Sequence, residues 1–207
     1  QVSIRRSDSG QGEEDEIAVW CRRISSEATM KKEDGDCRMQ GCGRQGQQYG
    51  FDMTLRKAGI IDCEELYRMQ LKCFRELLEK YRDYDFSPGA EKIEKTERRL
   101  REQFSDYYFI CLGKAHIGAL RVIHLETLCI LKQIYILPEY QGKGYAQRAL
   151  RLAEALYPSA LRWELDTILQ EEKLCHLYEK MGYRQNGRTE EIKENMTLVF
   201  YAKDVTV

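Results

Sequence analysis

"PEYQGKGYAQRAL", Pro138–Leu150, is the most informative stretch of this sequence. An apolar run, "CILKQIYIL" (Cys129–Leu137), leads into it, and an amphipathic helical pattern follows. Gly142, Gly144 and Ala146 stand at the junction, with Lys143 between the two glycines. At such a junction the first backbone N–H groups of the helix are unpaired and the helix dipole is positive. Glycine admits φ > 0 and lets a ligand approach the backbone closely. A tight strand-to-helix turn and a cradle for phosphate or pyrophosphate both suit the pattern. A Walker loop, G-x-x-x-x-G-K-[ST], fails because Gly144 follows Lys143. A dinucleotide fingerprint, G-x-G-x-x-G, fails because Gln147 stands where its last glycine belongs. That fingerprint also belongs near the start of a βαβ unit. Here the loop follows several strands that read as antiparallel.

"MTLRKA" from Met53 alternates apolar and polar residues and predicts a strand. Asp62 predicts a helix cap, with Glu65 completing a capping box, and the helix runs to about Tyr81. Its apolar face carries Leu66, Met69, Cys73, Phe74, Leu77, Leu78 and Tyr81. "DYDFSPG" (Asp83–Gly89) breaks it, and a more polar helix is expected over Ala90–Phe104, with Ile93 and Leu100 inward. Strands are predicted over Tyr107–Leu112, His116–Leu125, Cys129–Leu137 and Leu161–Leu169. A helix is expected over Gly144–Tyr157. "EEKLCHLYEKMG" is a second, shorter one with Leu174, Leu177, Tyr178 and Met181 inward and Gly182 as its stop. "NMTLVFYAKDV" closes as a strand, and a further strand near Tyr183 is open. The succession βααβββαβαβ implies an α/β (α+β) fold, a mixed, mostly antiparallel sheet flanked by helices.

The 207 residues are 43% hydrophobic, enough for one core, and their net charge of -1 points to neither nucleic acid nor an acidic membrane surface. No apolar run reaches the roughly 18 residues of a membrane helix, and no secretory signal is evident. The spacing of the eight cysteines forms no Cys-x-x-Cys. They are read as reduced, mostly buried thiols of a cytoplasmic protein, with no metal site expected. Residues 1–52 are rich in Gly, Gln and charge and carry one compact apolar patch, "IAVWC". Such a stretch buries too little to offset its ordering entropy, so a disordered extension is expected. Residues 53–207 form the domain, and Met53 is a candidate natural start.

"IYILPEYQGKGYAQRAL" resembles the acetyl-CoA-binding motif of the GNAT family of N-acetyltransferases. The family pattern [Q/R]-x-x-G-x-[G/A] is filled by Gln141, Gly144 and Ala146, after the strand end Ile136-Leu137-Pro138. "LYEKMGY" (Leu177–Tyr183) resembles the family's second signature. The resemblance covers about Met53–Val207. It implies that acetyl-CoA lies where the strands on either side of the glycine loop and its helix splay apart. The backbone of Ile134 and Ile136 would pair with the pantetheine arm like an added strand. Backbone N–H groups from Gln141 through Gly142, Lys143, Gly144, Tyr145 and Ala146 would hold the pyrophosphate, with the Lys143 charge beside it.

The implied chemistry is acyl transfer from the thioester to a primary amine of a small molecule or peptide. It needs a proton acceptor, oxyanion donors and an acid for the thiolate. Tyr178 matches the family's general acid; a core tyrosine with a satisfied hydroxyl is the structural alternative. The Ile136 N–H would serve the oxyanion. Two positions depart from the pattern. Glu171 stands where many members carry asparagine, and Ile130 where some carry a glutamate base; His124 and Glu126 are nearby titratable groups. Asp83, Tyr84, Asp85 and Phe86, between the first two helices, suit an amine by charge and cation–π attraction. A homodimer is left open. The competing function is a non-catalytic acyl-CoA-binding regulatory module.

Overall fold

A computed structural model of the chain describes residues 52–205. The extension expected over residues 1–52 therefore lies, but for Asp52, outside the described residues. Within them the chain runs β1 (Met53–Lys57), α1 (Cys63–Tyr81), α2 (Ile93–Arg101), β2 (Ser105–Leu112), β3 (Ala115–Leu125) and β4 (Leu128–Ile136). It continues through α3 (Tyr145–Leu156), β5 (Arg162–Ile168), α4 (Glu172–Lys180), β6 (Arg184–Lys193) and β7 (Met196–Asp204). The succession is the expected one, and β6 is the further strand after Tyr183.

The strands form one seven-stranded sheet in the order β1-β2-β3-β4-β5-β7-β6. All neighbours are antiparallel except β4 and β5. This is the mixed, mostly antiparallel sheet that the pattern implied. Side chains alternate across it. One face carries Ile110, Leu120, Val122, Leu131, Ile136, Trp163, Leu165, Val199 and Tyr201, packed under Ala149, Leu150 and Ala153 of α3 and Cys175 and Tyr178 of α4. The other carries Tyr107, Phe109, Ala119 and Tyr135, packed under Leu66, Met69, Cys73 and Phe74 of α1.

Two local expectations are corrected. Asp62 stands at the N-cap position of α1 but caps nothing there. A 3-10 turn, Ile60–Asp62, runs directly into α1, and the Cys63 N–H already bonds to the Ile60 carbonyl. Asp62 instead accepts from the Gly59 N–H at 2.9 Å and from Arg56 at 3.0 and 3.2 Å. Glu65, its expected partner, lies 2.7 Å from Nδ1 of His116. The second helix covers only Ile93–Arg101, and its buried residues are Thr96 and Arg99. Leu100 is half-buried against the α1-side core. Too few apolar residues are present to seat the helix alone. A buried Arg99–Glu91 pair at 2.7 Å anchors it, and Gln70 of α1 donates to the same carboxylate at 2.9 Å.

β4 and β5 pair over four residues only, Leu128–Leu131 against Arg162–Leu165. Beyond them β4 continues to Ile136 and β5 to Ile168 without each other. The register against β3 shows why. Arg121 faces Gln133 while Val122 faces Leu131, so Lys132 is an extra residue on β4. Such a bulge bends its strand and sharpens the twist. The result is a notch between the C-terminal halves of two parallel strands.

Candidate active site

The glycine loop sits at the mouth of this notch. After β4 the chain makes a 3-10 turn, Pro138–Tyr140, and Gly144 becomes the N-cap of α3. Gly142 and Gly144 have φ of 74° and 77°. A Cβ built on either would meet nothing within 4 Å. The backbone conformation, and not crowding, therefore requires glycine, and the space beside the loop is open. An open space over the free N–H groups of a helix start fits a pyrophosphate. Tyr145 and Ala146, the first helical residues, pack half-buried on the core. Gln141 Nε2 donates to the Ile136 carbonyl at 2.8 Å and ties the loop to the end of β4. Lys143 folds back on its own turn, donating to the Glu139 carbonyl at 3.1 Å, with Nζ 5.6 Å from the centre of the Tyr140 ring.

The edge of β4 that faces the notch follows from its register. The Leu137 N–H donates to Ile117 of β3 at 2.8 Å. Alternation then turns the backbone groups of Tyr135 and Gln133 toward β3, and those of Ile134 and Ile136 away from it. The bond from Gln141 to the Ile136 carbonyl agrees with that direction.

Tyr178 is 5% exposed and packs against the rings of Tyr183 and Tyr201, with centroids 6.2 and 6.1 Å away. Its hydroxyl makes no hydrogen bond to another described residue. Burial, with the Asp166 charge adding to it, pushes the phenol above its ordinary pKa of 10. Tyr178 is thus held as a protonated donor with no internal acceptor.

Glu171 starts α4, and its Oε1 accepts from Lys80 Nζ and from Tyr81 OH, both at 2.6 Å. Burial works against the charge, but these two donors outweigh it and hold the carboxyl below its ordinary range. The bond joins the end of α1, on one face of the sheet, to the start of α4, on the other. Ile130 is 3% exposed and faces Glu164 across the paired part of β4 and β5. His124 lies 3.5 Å from Asp106 and stacks on Tyr157. Glu126 sits in the β3–β4 turn with φ of 44°. Both are at the closed end of the β3–β4 hairpin.

The α1–α2 loop leaves α1 beside the Glu171 bond. Asp83 turns inward, 5% exposed, and accepts from the Phe86 N–H at 3.2 Å, which shapes the loop. Its other oxygen is buried without a partner. Tyr84 and Phe86 are 68% and 57% exposed, and Asp85 is exposed as well. A pocket of about 360 Å³ lined by Glu65, Arg68, Met69, Lys72 and Leu137 contains none of the notch residues.

Two notch residues escaped the sequence reading. Lys132 and Asp166 face each other across the gap, Nζ to Oδ1 3.8 Å. The alternation in "RWELDTI" places Asp166 opposite Trp163 and Leu165 in face, so that signal was present. The bulge that aims Lys132 leaves no signature in the residue types. Five cysteines are among the described residues and all are free thiols. Burial pushes Cys73 up to about 12 and Cys129 up to about 11.

The chain is similar in shape to an acetyltransferase from Thermus thermophilus, with a TM-score of 0.56 and 18% identity, over 74% of this chain and 97% of that one. The spermidine N-acetyltransferase of Vibrio cholerae in complex with CoA and spermine gives 0.60 and 20%, over 73% and 95%. The ribosomal L7/L12 alpha-N-protein acetyltransferase RimL in complex with coenzyme A gives 0.61 and 14%, over 76% and 96%. At these identities the likeness is one of fold. No curated protein matches in sequence. Residues 63–183 match the acetyltransferase (GNAT) family. That match takes in the glycine loop, the notch and Tyr178, and covers more than half of the sequence: the chain belongs to the GNAT acetyltransferase family.

Proposed function

We infer that the protein transfers the acetyl group of acetyl-CoA to a primary amine of a small molecule or peptide by direct attack on the thioester. The observation that carries this is the divergence of β4 from β5 with the α3 N-terminus at its mouth. The pyrophosphate would rest on the N–H groups from Gln141 to Ala146, beside Lys143. The pantetheine arm would bond to the backbone of Ile134 and Ile136, and the Ile136 N–H would also serve the oxyanion. Bound there, acetyl-CoA supplies an activated acyl carbon. The neutral amine nitrogen bonds to the acyl carbon and the carbon–sulfur bond breaks. Tyr178 gives its proton to the sulfur, the nitrogen sheds a proton to solvent, and the phenolate takes one back from solvent. A tyrosine phenol is protonated through the neutral range and so carries the proton to give. The α1–α2 loop, with Asp83, Tyr84, Asp85 and Phe86, forms the rim on the acceptor side. The solved neighbours named for spermidine and for a protein N-terminus are consistent with an amine acceptor. A cytoplasmic setting suits the same substrates.

The test is titration calorimetry with acetyl-CoA, followed by thiol release over a panel of amines, for the wild type and Tyr178→Phe. The substitution is expected to lower turnover by about 10²-fold, the usual worth of a general acid, while acetyl-CoA affinity is kept. Acetyl-CoA binding without release from any amine would favour a non-catalytic acyl-CoA-binding module. Absence of acetyl-CoA binding would sink the assignment of the loop.

A further inference from the structure

The notch holds one ion pair that the transfer as described does not use. Lys132, on the bulge of β4, and Asp166, on the unpaired end of β5, stand on opposite walls with side chains 35% and 33% exposed. Their separation of 3.8 Å is longer than a hydrogen bond. The pair is loose, partly exposed and placed where the strands have parted. The other charges around Asp166 are engaged elsewhere. Glu164, on its own strand and face, is held by Arg162 at 2.6 Å. Phe200 is its neighbour on β7. Arg188 of β6 lies 4.0 Å over the Phe200 ring and pairs with Glu190 at 3.3 Å. Tyr178 of α4 packs on the other face of the sheet, with Trp163 and Leu165. Lys132 is thus the cation that faces Asp166, and it is held weakly.

We propose that Asp166 receives the ammonium group of the acceptor, and that Lys132 fills that position until the acceptor displaces it. This rests on the transferase function and narrows its substrate class to amines that are cationic at neutral pH, such as alkylamines and protein amino groups, over arylamines. Asp166 lies on the sheet face opposite Trp163 and Leu165, so it would hold the ammonium across the sheet from Tyr178, and the ammonium gives a proton to solvent before its nitrogen attacks. The Lys132 ammonium is a built-in mimic of the substrate and competes with it.

Steady-state kinetics with 1,3-diaminopropane and with aniline, for the wild type, Asp166→Asn and Lys132→Met, test this. Asp166→Asn is expected to raise the diamine KM by about tenfold or more, as loss of a charged hydrogen bond would, with acetyl-CoA affinity unchanged by calorimetry. Lys132→Met is expected to lower the diamine KM, because a competitor is gone; a merely structural pair would not give that sign. The double variant should lose the gain. An unchanged diamine KM in Asp166→Asn, or a raised one in Lys132→Met, overturns the proposal. Wild-type protein that binds acetyl-CoA and acetylates only aniline overturns it while the transferase stands. Wild-type protein that does not bind acetyl-CoA removes both.

Discussion

At the scale of residues, two glycines near the site are constrained for opposite reasons. A methyl group on Gly118 would collide with the Tyr135 carbonyl and crowd Ile136, its partner across the β3–β4 ladder. Gly144 has open space around it but holds φ of 77°. Gly118→Ala is therefore expected to displace the end of β4, costing about 1–3 kcal/mol as an overpacked site. Acetyl-CoA affinity should fall with it, because Ile134 and Ile136 shift. Gly144→Ala is expected to cost about 1–2 kcal/mol for a left-handed backbone without disturbing β4. Thermal unfolding with calorimetric titration of both variants checks the contrast. A Gly118→Ala variant with unchanged stability would mean that the strands separate freely there. The sequence displayed Gly144, since its loop is a recognisable pattern. It hid Gly118, whose constraint comes from a strand that only the fold brings close.

At the scale of elements, the layers are fastened by polar groups as much as by apolar faces. Asp106 of β2 takes Lys57 of β1 at 2.6 Å and the Tyr157 hydroxyl at the end of α3 at 2.9 Å. Tyr157 and Tyr108 add a hydroxyl contact at 3.1 Å. Burial alone would raise the Asp106 pKa, but Lys57 and Tyr157 outweigh it and hold it below the ordinary value. A carboxyl lowered in this way stabilises the fold above its unfolded pKa, about 4. That contribution is lost as pH falls through the folded value. Asp106→Asn is expected to cost about 1–3 kcal/mol at neutral pH, as loss of a charged hydrogen-bond partner does. It should also flatten the fall in stability below about pH 4. Urea midpoints for both proteins across that range decide it, and parallel acid limbs would count against this role. Element order was legible because each strand and helix keeps its own period, from "MTLRKA" to "NMTLVFYAKDV". The bounds of α2 were not. Its start depends on the buried Arg99–Glu91 pair, which unites residues that no local pattern links.

At the scale of the whole molecule, the sheet is two blocks, β1–β4 and β5-β7-β6, joined through four parallel pairs. On one side α3 and α4 cover the joint, and beyond it the Glu171 bond links α4 to α1. The cradle at its mouth could be read from Gln141, Gly142, Gly144 and Ala146, because a helix start after a strand has fixed chemistry. The Lys132–Asp166 wall could not, because it requires a bulge and a splay that no residue type announces. An open notch between blocks invites a ligand that acts as the missing strand, and such a ligand leaves a particular trace. The amides of Gln133 and Tyr135 are turned to β3, whereas those of Ile134 and Ile136 face the gap. Residue-resolved hydrogen exchange with and without acetyl-CoA should therefore show new protection at 134 and 136 and little change at 133 and 135. Protection of all four alike would mean that binding only stiffens the fold. Protection confined to the loop would place the pyrophosphate correctly and leave the pantetheine arm outside the notch. The alternating pattern requires a chain of the ligand bonded along β4, and no general stabilisation of the molecule can imitate it.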